Sequence, residues 1–589
     1  MVLYGHSSGS SYSSDSPDSH ILFVLLNRTV DISQLRVEST YRLRLALSAP
    51  LRLLHIVNEI LIMTINDKRQ HNLRLPIYRI PNEILSKIFC DLRSNYIRVR
   101  HGLKDWITVT HVCHAWREVA LNTSLLWCHI DFLSVTEPNQ VHAWIPELLR
   151  RSKQSPLTLT IRPEHGTLKQ LKLHFGRVRE LVLDTPSEET LREVFVSKFQ
   201  NLEVLEVSDD FRFARDLEFI LDDSHVRAGC IRHLALHSCS VDGNSKFLQG
   251  LTHLRLADIP DDCRFGCHDF LLVLSKIPRL EIIDLCGFIK EADEGFKAAK
   301  VHLLHLRELS VQCLVPKMAQ FLPCLVVPRS CKLDIHTGDE SEEMGICDNF
   351  RAILSWVSNQ LRVPTTPLPT SNAGEQYIRS FLLLDNPHEG DFTVEGYSDV
   401  LSHEQMETAD PILKFVFFWA YDEERRDNSF SLQKILSLLP LEGLVSLDVI
   451  TDFNVYLPPE FWMVAFGSIQ TLNEIYLETT TSNFWKALAL TNSAVKSLSF
   501  PALTSITVDD HLLKSRRVLD KLRIRSELGG TQLQSLVFAG VCRVPPRQVI
   551  SQLGEWVSSI QAVESSESRS ADETEDDSSS TDSDGWWSR

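Results

Sequence analysis

Six-residue segments with apolar residues at positions one, four and six recur along most of this chain, and they restrict its fold more than any other feature. They read VRELVL (178–183), LEVLEV (202–207), IRHLAL (231–236), LTHLRL (251–256), LEIIDL (280–285) and LRELSV (306–311). They resume as LVSLDV (444–449), LNEIYL (472–477), LTSITV (503–508) and LQSLVF (533–538). The last two apolar positions are two residues apart, the period of a strand with one buried face. One such strand cannot bury that face alone, so the pattern requires neighbouring units to stack on each other. Segments such as FLLVLSKIP lie between the copies and suit the helices that return the chain.

The spacing of roughly twenty to thirty residues falls in the leucine-rich-repeat range. The fold class expected is therefore α/β, with an irregular solenoid and a parallel sheet over residues 135–560. WIPELLRRSKQ reads as a helix and SPLTLTI as a strand at its start. The units are irregular and show no asparagine ladder, so a degenerate repeat is expected. Around Thr337–Glu343 and Val363–Glu375 the composition turns acidic and then Pro- and Thr-rich. An irregular insertion near 337–376 is expected there, within one long solenoid rather than between two domains.

Upstream, residues 73–134 carry a different pattern. Pro81 suits the first turn of a helix and Glu83 the positive end of its dipole. Ile84, Leu85, Ile88, Phe89 and Leu92 then share one helical face. A second series, Val109, Val112, Cys113, Trp116, Val119 and Ala120, follows at three- and four-residue steps, with Asp105 as its N-cap. Asn122, Thr123 and Ser124 interrupt it before Leu125, Leu126 and Trp127. The whole reads as two or three short helices, with a basic loop from Arg93 to Lys104. A unit this small leaves part of its apolar face for a partner or for the rest of the chain.

The order Ile80-Pro81-x-Glu83-Ile84-Leu85-x-x-Ile88-Phe89, Val112-Cys113-x-x-Trp116-Arg117-x-Val119-Ala120 and Leu126-Trp127 resembles an F-box, in the form found in large fungal families. It departs from that pattern at Ile80, where Leu usually precedes the proline, and at Ser124, where proline is common. The resemblance implies that Pro81, Ile84, Leu85, Ile88, Phe89, Val112, Cys113 and Trp116 form or support the surface for a Skp-type adaptor and, through it, a cullin. It implies a substrate-recruiting subunit of an SCF-type ubiquitin ligase, not itself an enzyme, whose repeats hold an unknown protein target. The alternative is a ligase-independent scaffold in which the module caps the solenoid.

The chain has 589 residues and a formal net charge of -17, which argues against general nucleic-acid binding. Its thirteen cysteines, odd in number and scattered, fit reduced thiols in cytosol or nucleus. Ile21–Leu26 is too short to span a membrane and follows no basic segment, so neither a membrane span nor a signal peptide is expected. Residues 1–40 are expected to be mostly disordered. Leu51, Leu54, Val57, Ile60 and Leu61 suggest a lead helix over 41–72. Residues 561–589 form an acidic Ser-rich tail in which Ser570, Thr574, Ser579 and Thr581 each precede an acidic residue by three positions, as acidophilic kinases favour.

Gly5-His6-Ser7-Ser8-Gly9 matches G-x-S-x-G but has neither the strand before it nor the helix after it that a nucleophile elbow requires. His111, Cys113 and His114 fall inside the F-box pattern, where Cys113 is expected as a small apolar residue, and Cys263, Cys267 and His268 lack an obvious second pair of zinc ligands. No cofactor or metal is expected.

Overall fold

The computed structural model describes most of residues 67–563. Residues 1–66 and 564–589, and internal stretches that include 99–105, 132–137, 209–219, 222–229, 291–298, 339–347, 363–376, 419–428, 452–456, 493–496, 510–514 and 540–545, lie outside the described residues. The expected N-terminal disorder, the five apolar residues of the lead helix, Asp105, nearly all of the acidic tail and its four candidate phosphorylation sites fall there. The chain divides into two compact units: one runs to Ile88 and includes Thr108–Val119, and the other takes Phe89–Ile107 and everything from Ala120 on.

Helix α1 (Asn82–Arg98) starts directly after Pro81, whose carbonyl accepts from the Leu85 N–H at 3.0 Å, with Glu83 in its first turn. Pro81 therefore stands just before the first turn. The helix also continues beyond Arg93, where a loop was expected. Its apolar residues divide: Leu85 and Phe89 are buried, whereas Ile84 and Ile88 are exposed. A one-residue offset turns a helical position by about 100°, so the five residues do not share one fate.

The second helical series is also broken. α2 (Val109–Val112) and α3 (His114–Asn122) are separated by Cys113, which is extended at φ −157° and ψ 169°. Its sulfur accepts from the Trp116 N–H at 3.5 Å, and its carbonyl accepts from the Arg117 N–H at 3.0 Å. Cys113 thus caps α3 through its side chain, the part that Ser, Thr or Asp usually plays.

Among the described residues, the second unit is built on a 17-stranded sheet. Its strands are β1 (His129–Asp131), β2 (Leu157–Ile161), β3 (Val178–Asp184), β4 (Val204–Ser208), β5 (His233–His237), β6 (His253–Ala257), β7 (Ile282–Cys286), β8 (Glu308–Leu314) and β9 (Lys332–Gly338). β10 (Ser380–Asn386), β11 (Asp391–Tyr397), β12 (Leu413–Phe418), β13 (Ser446–Ile450), β14 (Glu474–Glu478), β15 (Ser505–Asp509), β16 (Leu533–Phe538) and β17 (Val557–Ala562) complete it. β1 to β9 pair in parallel in sequence order, as do β13 to β17.

Register explains the recurring segments. Leu181, Leu205, Leu234, Leu254, Ile283, Leu309, Leu333 and Leu413 are successive partners across the ladder, and all are buried. Leu183, Val207, Leu236, Leu256, Leu285, Val311, Ile335 and Phe415 form the adjacent buried row. Each such side chain contributes roughly 1.5–3 kcal/mol by leaving water. Residues at or just before the start of a strand join the ladder too: the N–H groups of Arg232, Thr252, Glu281, Arg307 and Lys332 donate in turn to the carbonyls of Glu203, Arg232, Thr252, Glu281 and Arg307 at 2.7–2.8 Å. In place of a side-chain ladder, three repeats use backbone at the other end. Ser238, Asp258 and Gly287 each follow a strand with φ of 59°, 49° and 56°, and their N–H groups donate to the carbonyls of Ala257, Cys286 and Gln312 on the next strand.

The sheet is not purely parallel. β9 pairs with β12, β12 with β11 and β11 with β10, the last two antiparallel, before β10 hands on to β13 in parallel. The irregularity therefore extends past the expected 337–376, and within that range Asp348–Leu361 is a helix tied to the repeats by the Trp356 indole N–H donating to the Leu325 carbonyl at 3.0 Å. On β11, Gly396 occupies the ladder position that Leu, Ile or Phe fills on the neighbouring strands. A Cβ there would lie 3.1 Å from the side chain of buried Ile378, which takes the missing volume.

Behind the sheet, phenylalanines link repeat to repeat. Phe270, Phe288 and Phe321 make ring contacts at 4.9–5.9 Å, and Trp462, Phe484 and Phe500 at 5.2–5.6 Å. Among the described residues, no helix is long and apolar enough to cross a membrane.

Candidate functional site

In the first unit, α1 presents Ile84 and Ile88 one turn apart, 49 % and 45 % exposed. Two isoleucines at (i, i+4) form a continuous apolar step on a helix surface. Val112 at the end of α2 is 60 % exposed, and Cys113 and Trp116 are half-buried. Pro81 is exposed. Leu85 is buried and supports the helix from below. Of the eight residues named as adaptor-binding, four are thus exposed and two are partly so. The sulfur of Cys113 is committed to capping α3, which orients the helix that carries Trp116.

Phe89, the remaining buried one, belongs to the second unit, whose beginning is a polar-lined aromatic core. Trp127 donates its indole N–H to the Ala120 carbonyl at 2.8 Å and meets the Trp106 ring edge-on at 5.1 Å. The Arg93 guanidinium lies 5.1 Å from the Trp106 centroid and that of Arg151 lies 4.3 Å from Trp127. Arg93 is 4 % exposed and donates to the carbonyls of Leu125, Leu126 and His129. Burial lowers its pKa, and burial together with the adjacent Arg93 charge pushes His129 down to about 4. The sequence marks Leu126 and Trp127, whereas Arg93 reads there as the start of a basic loop. Its one signal is its position at i+4 from Phe89 and i+8 from Leu85, on the buried stripe.

Leu125, 57 % exposed, stands on the 3-10 turn Ser124–Trp127, an apolar position outside the eight residues of the expected adaptor surface. Neither histidine–cysteine group gathers ligands: among the described residues, no three His, Cys, Asp or Glu side chains are placed to hold a metal ion.

Residues 77–133 match the family model described as F-box-like, so the chain carries an F-box-like domain followed by a leucine-rich-repeat-type solenoid. No curated protein matches the chain. Among solved structures, the chain is similar to the leucine-rich repeat-containing protein LegL7 from Legionella pneumophila, at 13 % identity and a TM-score of 0.25, over 63 % of this chain and 98 % of that one. The solenoid assignment rests on the strand register above.

Proposed function

We propose that this chain is a substrate-recruiting subunit of a cullin-based ubiquitin ligase, docking a Skp-type adaptor through its F-box-like domain and a protein target through its repeats. The observation that carries the reading is the pair Ile84 and Ile88, held exposed on α1 inside the matched segment while Leu85 and Phe89 of the same helix are buried. A module built only to cap the solenoid gains nothing from leaving two isoleucines in water, since each forgoes roughly 1 kcal/mol or more of burial. F-box domains are typically non-enzymatic, and this role works through proximity and orientation: the ligase transfers ubiquitin to whatever the repeats hold.

Pro81, Ile84, Ile88, Val112, Cys113 and Trp116 make the adaptor surface, with Leu85 and Phe89 as its support. The cytosol or nucleus is the compartment in which this partner and the free cysteines fit together. The test is affinity purification of the full chain and of Trp116→Ala, followed by mass spectrometry, with circular dichroism to establish that the variant is folded. The reading expects adaptor and cullin with the wild type and their loss with the folded variant. Recovery of repeat-bound partners without adaptor from the wild type would leave the ligase-independent scaffold in its place.

A further inference from the structure

The segment between β11 and β12, residues 398–412, lies over β13 and β14 on the sheet face that carries Asp448 and Tyr476. It includes a single helical turn, His403–Met406, closed by a capping box in which Ser402 and Gln405 cap each other's backbone. Two fixtures hold its ends and a third holds the last residue of its helical turn. Ser380 Oγ accepts from the Leu401 N–H at 2.8 Å and donates to the Asp399 carbonyl at 2.9 Å. The buried Tyr397 hydroxyl lies 3.2 Å from the Met406 carbonyl and 2.5 Å from Glu395. Ile412 donates to the Gly396 carbonyl at 2.9 Å.

The first residue of that turn is held differently. His403 Nδ1 lies 2.9 Å from Asp448 Oδ2, and its ring stacks on Tyr476 at 3.8 Å between centroids and 8° between planes. The Asp448 side chain is 2 % exposed, and among the described residues His403 is its ion-pair partner. We propose that residues 398–412 form a pH-sensitive strap, latched across the sheet face by His403 on Asp448 and Tyr476 and loosened when His403 loses its proton. The proposal does not depend on the ligase reading, because the strap and everything it touches lie in the solenoid.

The groups that face His403 favour its charged form. Asp448 on β13 does so most, by its hydrogen bond; Glu407 from the same turn and Glu478 on β14 add to it, against the opposing effect of burial. Tyr476 is neutral, its pKa raised by burial and by the neighbouring Glu478, and Glu478 is itself raised by burial and by Asp509. His403 thus titrates above its ordinary value of about 6.5. A base whose pKa is raised in the folded state gives a contribution that is complete below its ordinary value and is lost as pH rises through the raised one. Above it, a neutral imidazole still donates Nδ1–H, but Asp448 is left as a buried carboxylate without a cation, which is costly. Opening returns Asp448 and Tyr476 to the face of the sheet available to other molecules.

Hydrogen–deuterium exchange of the full chain at pH 6.0 and 8.5, corrected for intrinsic exchange, tests this with wild type, His403→Gln and Asp448→Asn. Protection of peptides within 398–412 in the wild type should fall by about fivefold or more at the higher pH, the scale of one half-buried ion pair. Peptides from β16 and β17, which carry no histidine, should not change. Either variant, folded by circular dichroism, should abolish the pH dependence. Equal wild-type protection at both pH values, or a pH dependence that survives in a folded variant, overturns the proposal.

Discussion

The indole N–H of Trp127 donates to the backbone carbonyl of Ala120 at 2.8 Å, and the two residues are 2 % and 0 % exposed. That bond joins the end of α3 to the turn that leads into the first strand. Trp106 meets the same indole edge-on and Arg151 lies across it, so one side chain gathers two others and a backbone carbonyl.

Trp127→Phe keeps most of the aromatic volume but leaves the Ala120 carbonyl buried without its donor. It should cost about 1–3 kcal/mol, the penalty of an unsatisfied buried acceptor plus the lost ring area. Urea denaturation of the full chain, followed by the loss of the first cooperative transition, measures it. A midpoint unchanged from wild type would show that the bond contributes nothing.

Cys113 separates two predictions that hydrophobicity alone would merge. If it only fills space, Cys113→Ala should be better tolerated than Cys113→Ser. As the cap of α3, with its sulfur 3.5 Å from the Trp116 N–H, the order reverses: serine should hold or increase stability, and alanine should lose about 1 kcal/mol. Thermal melts of the two variants compare them directly.

Much of the solenoid was legible because burial in it is periodic. Leu234 and Leu236, or Leu254 and Leu256, are two apart and both inward, so the pattern names the strand and its buried face. The strands usually begin two residues into each segment, because the first apolar residue, such as Leu251 or Leu280, packs ahead of the ladder. β10 to β12 were not legible. SFLLLDN and LKFVFF have apolar residues on both faces, and Gly396 removes the diagnostic leucine from β11 because Ile378 supplies its volume from elsewhere in the chain. In the F-box-like segment, helix content was readable but the division of α1 between buried Leu85 and Phe89 and exposed Ile84 and Ile88 was not, since all four are apolar and sequence carries no sign of which side meets water.

Arg525 plays the same part as Arg93 and Arg177, holding backbone carbonyls with a guanidinium, although no segment motif marks any of them. It is 2 % exposed and donates to the carbonyls of Ser499 at 2.8 Å and Phe500 at 2.7 Å; Arg177 similarly donates to those of Lys153 and Ser155. Burial pushes Arg525 down to about 10, which leaves it charged at neutral pH. Arg525→Met should destabilise the C-terminal repeats by about 3 kcal/mol by stranding both carbonyls, and Arg525→Lys should recover only part of that because one ammonium cannot span the two acceptors. Denaturant midpoints rank the three proteins; equal stability of Met and wild type would refute the role.

His129, held neutral in the fold at about 4, gives an acid-side prediction. Between that value and the ordinary one near 6.5 the unfolded chain binds a proton that the folded chain does not, so stability contributed by this residue is complete above about 6.5 and declines as pH falls toward 4. His129→Gln should flatten that decline. Melting temperatures of wild type and variant from pH 7 to 4.5 check it, and parallel curves would show that His129 is not responsible.

Isothermal titration of the full chain with a purified Skp-type adaptor, using wild type and the double variant Ile84→Glu, Ile88→Glu, tests adaptor docking. Both positions are about half exposed, so the variant should keep its melting profile. Wild type should bind, and the variant should lose about a hundredfold or more in affinity, as expected when two anchors of roughly 1.5 kcal/mol each are removed. A folded wild type that does not bind the adaptor, or a variant that binds it as tightly, would show that Ile84 and Ile88 are not an adaptor-docking surface.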